Sequence, residues 1–161
     1  MMTPSFREIL EILNKYEVEY IVVGGVAAVI QGAPITTFDL DTLVRVEDGN
    51  AERLLKALSE LEACYREHQT PLKPTKEDVM AGGHMLLMTR AGPLDVLGFV
   101  GNDRRYEDLI SVSSEIGMTV GTLRVLDLEE LIRQKKILSR PKDRAVADLL
   151  EEALRSRSAD S

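Results

Sequence analysis

Residues 20–41 read YIVVGGVAAVIQGAPITTFDLD. The β-branched run at residues 20–23 predicts a short buried strand, and Gly24 and Gly25 follow it directly. Residues 26–31 then predict a short helix, which ends at a glycine followed closely by a proline. A second strand is predicted to begin at the end of the stretch. The order is therefore strand, glycine turn, helix and strand.

Carboxylates mark the second strand and a later one. Asp39 and Asp41 lie two positions apart in a strand predicted over residues 39–46, so they share one face, ~7 Å apart along the chain. Their charges repel unless a cation lies between them. Asp95 lies in an apolar strand at residues 94–100, where a lone carboxylate is costly to bury. If the two strands are neighbours, three oxygen ligands converge, which favours Mg²⁺ and in-line displacement at phosphorus.

The glycine pair points to the same chemistry. Gly24 and Gly25 lie where a strand turns into a helix, where free N–H groups favour an anion and the backbone can approach a phosphate closely. Alone, such a pair predicts only a tight turn, and an Asp-x-Asp pair alone is common on exposed turns. The alternative is therefore a structural turn and unrelated surface carboxylates. All three elements in this order favour a phosphate-handling site.

The rest of the chain alternates helical and strand-like segments. These patterns predict a first helix to about residue 17, a helix at 50–63, a hairpin at 84–100, a strand pair within 111–126, and helices at 127–138 and from Pro141 onward. Asp127 and Glu130 have the spacing of a capping box. The predicted fold class is α/β, or α+β, with a small mixed β-sheet and flanking helices. We expect one domain over residues 1–154 and a frayed tail at 155–161.

Composition and charge bound the function. The chain has 161 residues, 44% of them hydrophobic, which is enough for one core. Its single cysteine, Cys64, excludes an internal disulfide and favours a reducing, cytoplasmic setting. No apolar run is long enough to cross a membrane. The net charge of −7 argues against coating nucleic acid, although residues 133–144 hold six cationic side chains and one acidic one. Such an island suits a local phosphate contact or a solvated helix face.

These motifs resemble those of a known superfamily. Gly24-Gly25 after a strand, then 13 residues, then Asp39-Leu40-Asp41 and a later strand aspartate are similar to the DNA polymerase β-type nucleotidyltransferases. In particular, they are similar to those of the small bacterial members, the minimal nucleotidyltransferases and the AbiEii-like toxins of toxin–antitoxin systems. The resemblance covers nearly the whole chain and extends to the basic segment near residues 131–143. It implies the nucleotidyltransferase fold.

The resemblance also implies roles for individual residues. Asp39 and Asp41 would bind Mg²⁺, and Asp95 would complete the site and help to deprotonate the acceptor hydroxyl. The positions implied to be both catalytic and metal-binding are Asp39, Asp41 and Asp95. The positions implied to bind the nucleotide are Gly24, Gly25, Thr37, Lys135, Arg140 and Lys142. One departure is Ile35, where many relatives have an arginine that the resemblance would assign to a phosphate or acceptor contact.

The implied activity is Mg²⁺-dependent transfer of a nucleoside monophosphate from a nucleoside triphosphate, such as ATP, to an acceptor hydroxyl. The acceptor could be an RNA 3′ end such as that of a tRNA, a protein partner or a small molecule, and a toxin–antitoxin system is one setting. The alternative from another class is a non-catalytic toxin–antitoxin component that acts by binding its partner. A third is a general Mg²⁺-dependent phosphate-binding module.

Overall fold

The computed structural model describes residues 4–138 and 140–159. Within them, helices and strands alternate along most of the chain. The helices are α1 (Pro4–Lys15), α2 (Gly24–Ile30), α3 (Asp48–Glu60), α4 (Lys76–Met80), α5 (Tyr106–Leu109), α6 (Leu128–Leu138) and α7 (Pro141–Ala159), with a 3₁₀ turn at Ile110–Val112. The strands are β1 (Tyr20–Val23), β2 (Leu40–Val44), β3 (Cys64–Tyr65), β4 (His84–Thr89), β5 (Gly92–Leu97), β6 (Ser113–Met118) and β7 (Gly121–Leu126).

The strands of this described part form one mixed sheet in the order β3-β4-β5-β2-β1-β7-β6. Two hairpins, β4–β5 and β6–β7, lie on either side of the antiparallel pair β1–β2. Each hairpin joins that pair through a parallel contact, β2 with β5 and β1 with β7. The central strands β2 and β5 are therefore neighbours, as the convergence of the three carboxylates requires.

Apolar spacing explains how the helices pack on this sheet. In α1, residues at helical spacing face inward, and Ile9, Leu10 and Leu13 are fully buried. Along β4 burial alternates from residue to residue, whereas all of β1 is buried, as expected for a central strand. None of the helices in the described residues is long and apolar enough to cross a membrane.

The predicted fold class is confirmed, and a few local predictions are corrected. The short edge strand β3 was not predicted. The capping box does not form, because the Asp127 N–H donates to the Val112 carbonyl and the Glu130 carboxylate binds Arg104 and Arg133 instead. Helix α7 runs past residue 154 to Ala159, so residues 155–159 are helical where fraying was expected. Residues 160 and 161 of that tail lie outside the described residues.

Candidate active site

Asp41 and Asp95 lie side by side at the centre of the sheet. Strands β2 and β5 run parallel in a register that pairs Leu40 with Leu94 and Asp41 with Asp95. Thr42 reinforces this register, because its buried hydroxyl donates to the Asp95 carbonyl at 3.1 Å. Residues directly opposite on neighbouring strands share one face of a sheet. The two carboxyl groups therefore meet, and they share a hydrogen bond.

This neighbourhood changes the acidity of Asp41. Burial, followed by the hydrogen bond and negative charge of Asp95, raises the pKa of Asp41 from 3.8 to about 7. The Asp39 charge acts in the same direction, and Arg66 opposes it. Asp41 therefore keeps its proton at pH values where an ordinary aspartate has lost it. Two adjacent carboxyl groups with one proton are typical of sites that hold or move protons.

Asp39 joins the pair from the loop that precedes β2. Its side chain is 46% exposed, compared with 15% for Asp95, so it lies on the solvent side of the cluster. The Thr37 hydroxyl donates to the Asp39 backbone carbonyl at 3.1 Å and holds the loop in place. The structure thus brings together the three carboxylates that the sequence predicted to converge, here called the carboxylate cluster.

Arg66 binds this cluster, and the sequence analysis did not identify it. The residue follows β3, and its guanidinium bridges two carboxylates, with one nitrogen 3.4 Å from Asp39 Oδ1 and the other bound to Asp95 Oδ1. The backbone N–H of Arg66 donates to the Leu86 carbonyl at 3.0 Å, and Leu86 pairs with Asp95 in the β4–β5 register. Leu86, Asp95 and Asp41 therefore lie in one row across β4, β5 and β2, and Arg66 continues this row just beyond the end of β3.

The glycine pair packs directly against the cluster. Gly24 begins α2 with a φ of +66°, and a Cβ atom there would lie 2.2 Å from Asp41 Oδ2. A Cβ on Gly25 would lie 2.7 Å from Thr37 Oγ1. The backbone of the turn thus approaches Asp41 and the Asp39 loop more closely than any side chain allows. The sequence predicted a close approach to a phosphate, and the structure adds this packing against protein groups.

The three predicted basic residues behave differently from one another. Arg140 and Lys135 both form ion pairs with Asp143, and the Lys135 Nζ lies 3.6 Å from its carboxylate. Asp143 is only 1% exposed, and the Arg140 hydrogen bond keeps the pKa of Asp143 below its usual value. Lys142 is exposed on the first turn of α7. The described ion pairs of Lys135 and Arg140 therefore run to Asp143 and not to the carboxylate cluster.

The cluster suits a hard divalent cation in its chemistry. In residues 4–138 and 140–159, no three His, Cys, Asp or Glu side chains already form a metal-binding group. The donors of Asp39, Asp41 and Asp95 are nonetheless all carboxylate oxygens, which Mg²⁺ prefers. A cation, the Arg66 guanidinium, already lies between two of them. The residues present fit Mg²⁺, provided that Arg66 moves aside.

Comparison with solved structures shows which known fold this chain has. No model of a protein family matches the sequence, and no curated protein matches it. TM1012 of Thermotoga maritima, named as a nucleotidyltransferase, is similar with a TM-score of 0.58 at 17% identity, covering 100% of this chain and 97% of that one. The lincosamide antibiotic adenylyltransferase LnuA, with lincomycin bound, is similar with a TM-score of 0.60 at 14% identity, covering 95% of this chain and 98% of that one. The chain therefore has the nucleotidyltransferase fold that its motifs imply.

Proposed function

We propose that this protein is a nucleotidyltransferase, which moves a nucleoside monophosphate from a nucleoside triphosphate to an acceptor hydroxyl. The observation that carries the proposal is the pairing of Asp41 with Asp95 in register on β2 and β5, with Asp39 one residue before β2. The glycine turn packs against the same carboxylates. A half-buried carboxylate pair beside a glycine turn suits phosphoryl chemistry better than it suits a passive surface.

The reaction assigns a task to each carboxylate. The acceptor oxygen attacks the α-phosphorus, its proton passes to Asp95, and the bond to the bridging oxygen breaks so that pyrophosphate leaves with the electron pair. Asp39 and Asp41 would hold Mg²⁺, with Asp95 completing the ligand set. When bound, Mg²⁺ neutralises the triphosphate and polarises the phosphorus under attack. Binding the cation requires Asp41 to release the proton that it holds near pH 7.

The nucleotide would enter along the glycine turn. Neither Gly24 nor Gly25 has a side chain that would block a phosphate, but the side chains of Asp41 and Thr37 lie over them, and the Thr37 hydroxyl donates to the Asp39 carbonyl. Lys142, with Lys135 and Arg140, completes the nucleotide-binding set that the resemblance implies. Of these, Lys142 is the one whose side chain is exposed on the first turn of α7, whereas the other two form ion pairs with Asp143.

Three classes of acceptor hydroxyl are compatible with the proposed transfer. The likeness to an adenylyltransferase that binds lincomycin supports a small-molecule hydroxyl as one of them. An RNA 3′ end and a protein side chain are the others, and the toxin–antitoxin setting would favour either. The acidic net charge of −7 suits a local contact with any of these acceptors better than extended binding along nucleic acid.

The decisive experiment measures the transfer of a labelled nucleotide to each class of acceptor. The purified protein is incubated with Mg²⁺ and each α-labelled nucleoside triphosphate, in turn with an RNA fraction, a protein fraction and a panel of hydroxyl-bearing antibiotics. We expect the label to be transferred to one class of acceptor, with one pyrophosphate released per transfer. Asp41→Asn should abolish the transfer, and Asp148→Asn, an exposed carboxylate on α7, should not. If no fraction gains label from the wild type, the proposed transferase activity is wrong, and the non-catalytic, partner-binding alternative is favoured.

A further inference from the structure

Arg66 lies between two of the three carboxylates that would bind a metal. Its two terminal nitrogens contact Asp39 and Asp95, which come from different elements, so a single guanidinium ties the Asp39 loop to β5. The Arg66 side chain is 22% exposed, so the contact is shielded from most of the solvent. A charge-assisted bridge of this kind is among the stronger hydrogen-bonded contacts in proteins.

The Arg66 bridge reduces the repulsion between the carboxylates in the metal-free protein. Asp39 and Asp95 both lie within Coulombic range of Asp41, and without a cation their charges oppose that of Asp41. Arg66 supplies a positive charge at the same place that a divalent ion would take. The two cations cannot share that place, because they would repel each other and compete for the same oxygens.

Arg66 is also available to bind a triphosphate, because other basic residues predicted to do so are already paired elsewhere. Two of the predicted triphosphate-binding residues, Lys135 and Arg140, are paired with the nearly buried Asp143. Arg66 is already at the carboxylate cluster, and its planar fork matches phosphate oxygens as well as carboxylate oxygens. Its backbone N–H is bound to the Leu86 carbonyl of β4, so the change of partner that we propose involves the side chain while the backbone stays in place.

We propose that Arg66 is a resident counter-cation of the carboxylate cluster: a divalent metal displaces it, and the freed guanidinium then binds the triphosphate. The second step rests on the proposed function, whereas the first does not. Arg66 is thus a positioning residue for metal entry. In the metal-free state it keeps the three carboxylates close together, and in the loaded state it contributes charge to the nucleotide.

The first test measures the metal alone. Mn²⁺ is titrated calorimetrically into the wild type, Arg66→Gln and a control, Arg90→Gln, which removes an equivalent charge from a surface pairing with Glu8 and Glu62. We expect Arg66→Gln to bind Mn²⁺ at least ~10-fold more tightly, since the ion no longer displaces a cation within contact distance. Arg90→Gln should match the wild type. Unchanged or weaker Mn²⁺ binding in folded Arg66→Gln would overturn the proposal.

A second variant covers the case in which Arg66→Gln is too unstable without metal. Arg66→Lys keeps the charge but cannot bridge two carboxylates with one fork, so its Mn²⁺ affinity should lie between those of the wild type and the glutamine variant. Recovery of folded Arg66→Gln on adding Mn²⁺ also supports the proposal. An Arg66→Lys affinity equal to that of the wild type, with no rescue of Arg66→Gln by Mn²⁺, rejects it.

The second step is tested with a non-hydrolysable nucleoside triphosphate at saturating Mn²⁺. We expect Arg66→Gln to bind this nucleotide more weakly than the wild type, although it binds Mn²⁺ more tightly. Tighter Mn²⁺ binding together with weaker nucleotide binding distinguishes displacement of Arg66 by the metal from a general loss of the site, which would weaken both. If the wild type transfers no nucleotide but the Mn²⁺ result holds, the counter-cation role stands and the proposed function fails. If the wild type transfers nucleotide and Mn²⁺ affinity does not change, the counter-cation role fails alone.

Discussion

Asp41 on β2 lies directly beside Asp95 on β5 in the register of two parallel strands, and the two carboxyl groups share a hydrogen bond. In a parallel pair each residue faces its neighbour at a fixed spacing, so this meeting is built into the sheet and does not depend on loop conformation. The pair is costly for the empty protein at high pH, because both groups are then charged in a largely enclosed position. Stability is therefore linked to protons at these two residues.

The first prediction concerns the pH dependence of the metal-free protein. The folded pKa of Asp41 is raised, from 3.8 to about 7, so its stabilising contribution is complete below pH 3.8 and is lost as the pH rises through 7. We expect the free energy of unfolding, measured with urea in EDTA, to fall between pH 5 and pH 8. A change of this size in pKa corresponds to ~4 kcal/mol at most. A stability that is flat or rises across this range would contradict the pairing.

The second prediction is that Asp41→Asn separates stability from activity. The asparagine amide donates to Asp95 without needing a titratable proton, so the hydrogen bond survives and one charge is lost. At pH 8 the metal-free variant should be more stable than the wild type, and at pH 5 this difference should be clearly smaller, because Asp41 is then mostly protonated in the folded wild type. Nucleotide transfer should fall by at least ~100-fold. Unfolding curves at both pH values and a label-transfer assay check this, with Asp148→Asn as the unaffected control.

Sequence patterns could predict the carboxylate cluster because its signals are local. Asp39 and Asp41 interrupt a strand-like run, and Asp95 interrupts an apolar one, so each is conspicuous without knowledge of the fold. That β2 and β5 are neighbours was an assumption that only the sheet order could test. The turn at Gly24 was recognised by its composition, but its contact with Asp41 depends on the pairing of Val23 with Asp41 across β1 and β2.

Other parts of the site have no local signal. Arg66 follows the two-residue strand β3, which is too short to show any periodicity, and its partners lie 27 and 29 residues away in sequence. The pairing of Lys135 with Asp143 likewise arises from the packing of α6 against α7. Both cases involve long side chains that reach across elements. Such contacts follow from the tertiary arrangement and not from the spacing of residues along one helix or strand.

The third prediction tests the glycine turn against a matched glycine. Gly24 and Gly32 both have positive φ values, +66° and +97°, so an alanine at either site carries a strain of ~1–2 kcal/mol. Around Gly32 a new Cβ meets nothing within 4 Å, whereas at Gly24 it meets Asp41 Oδ2 at 2.2 Å. We expect Gly24→Ala to lose more stability than Gly32→Ala, and to lose nucleotide binding as well. Thermal unfolding and nucleotide calorimetry on both variants check this, and equal losses would show that the Asp41 contact is unimportant.

The fourth prediction concerns the basic residues around Asp143. Because Asp143 is nearly buried and its pKa is lowered by Arg140 and Lys135, removing either cation leaves a poorly solvated carboxylate. We expect Arg140→Gln and Lys135→Gln to lower the Tm at pH 7, and Lys142→Gln, at an exposed position, to leave it unchanged.

The pH dependence of these variants distinguishes a structural pairing from a nucleotide contact. A lowered folded pKa means that the Asp143 contribution is present above pH 3.8 and is lost as the pH falls through the folded pKa. The Tm difference between the wild type and Arg140→Gln should therefore be largest near neutral pH and should shrink below pH 3.8, as Asp143 becomes protonated. Thermal unfolding between pH 3 and pH 7, with nucleotide calorimetry at pH 7, gives both readouts. Full stability with weakened nucleotide binding in Arg140→Gln or Lys135→Gln would instead assign these cations to the triphosphate, because the loss would then arise at the ligand and not at Asp143.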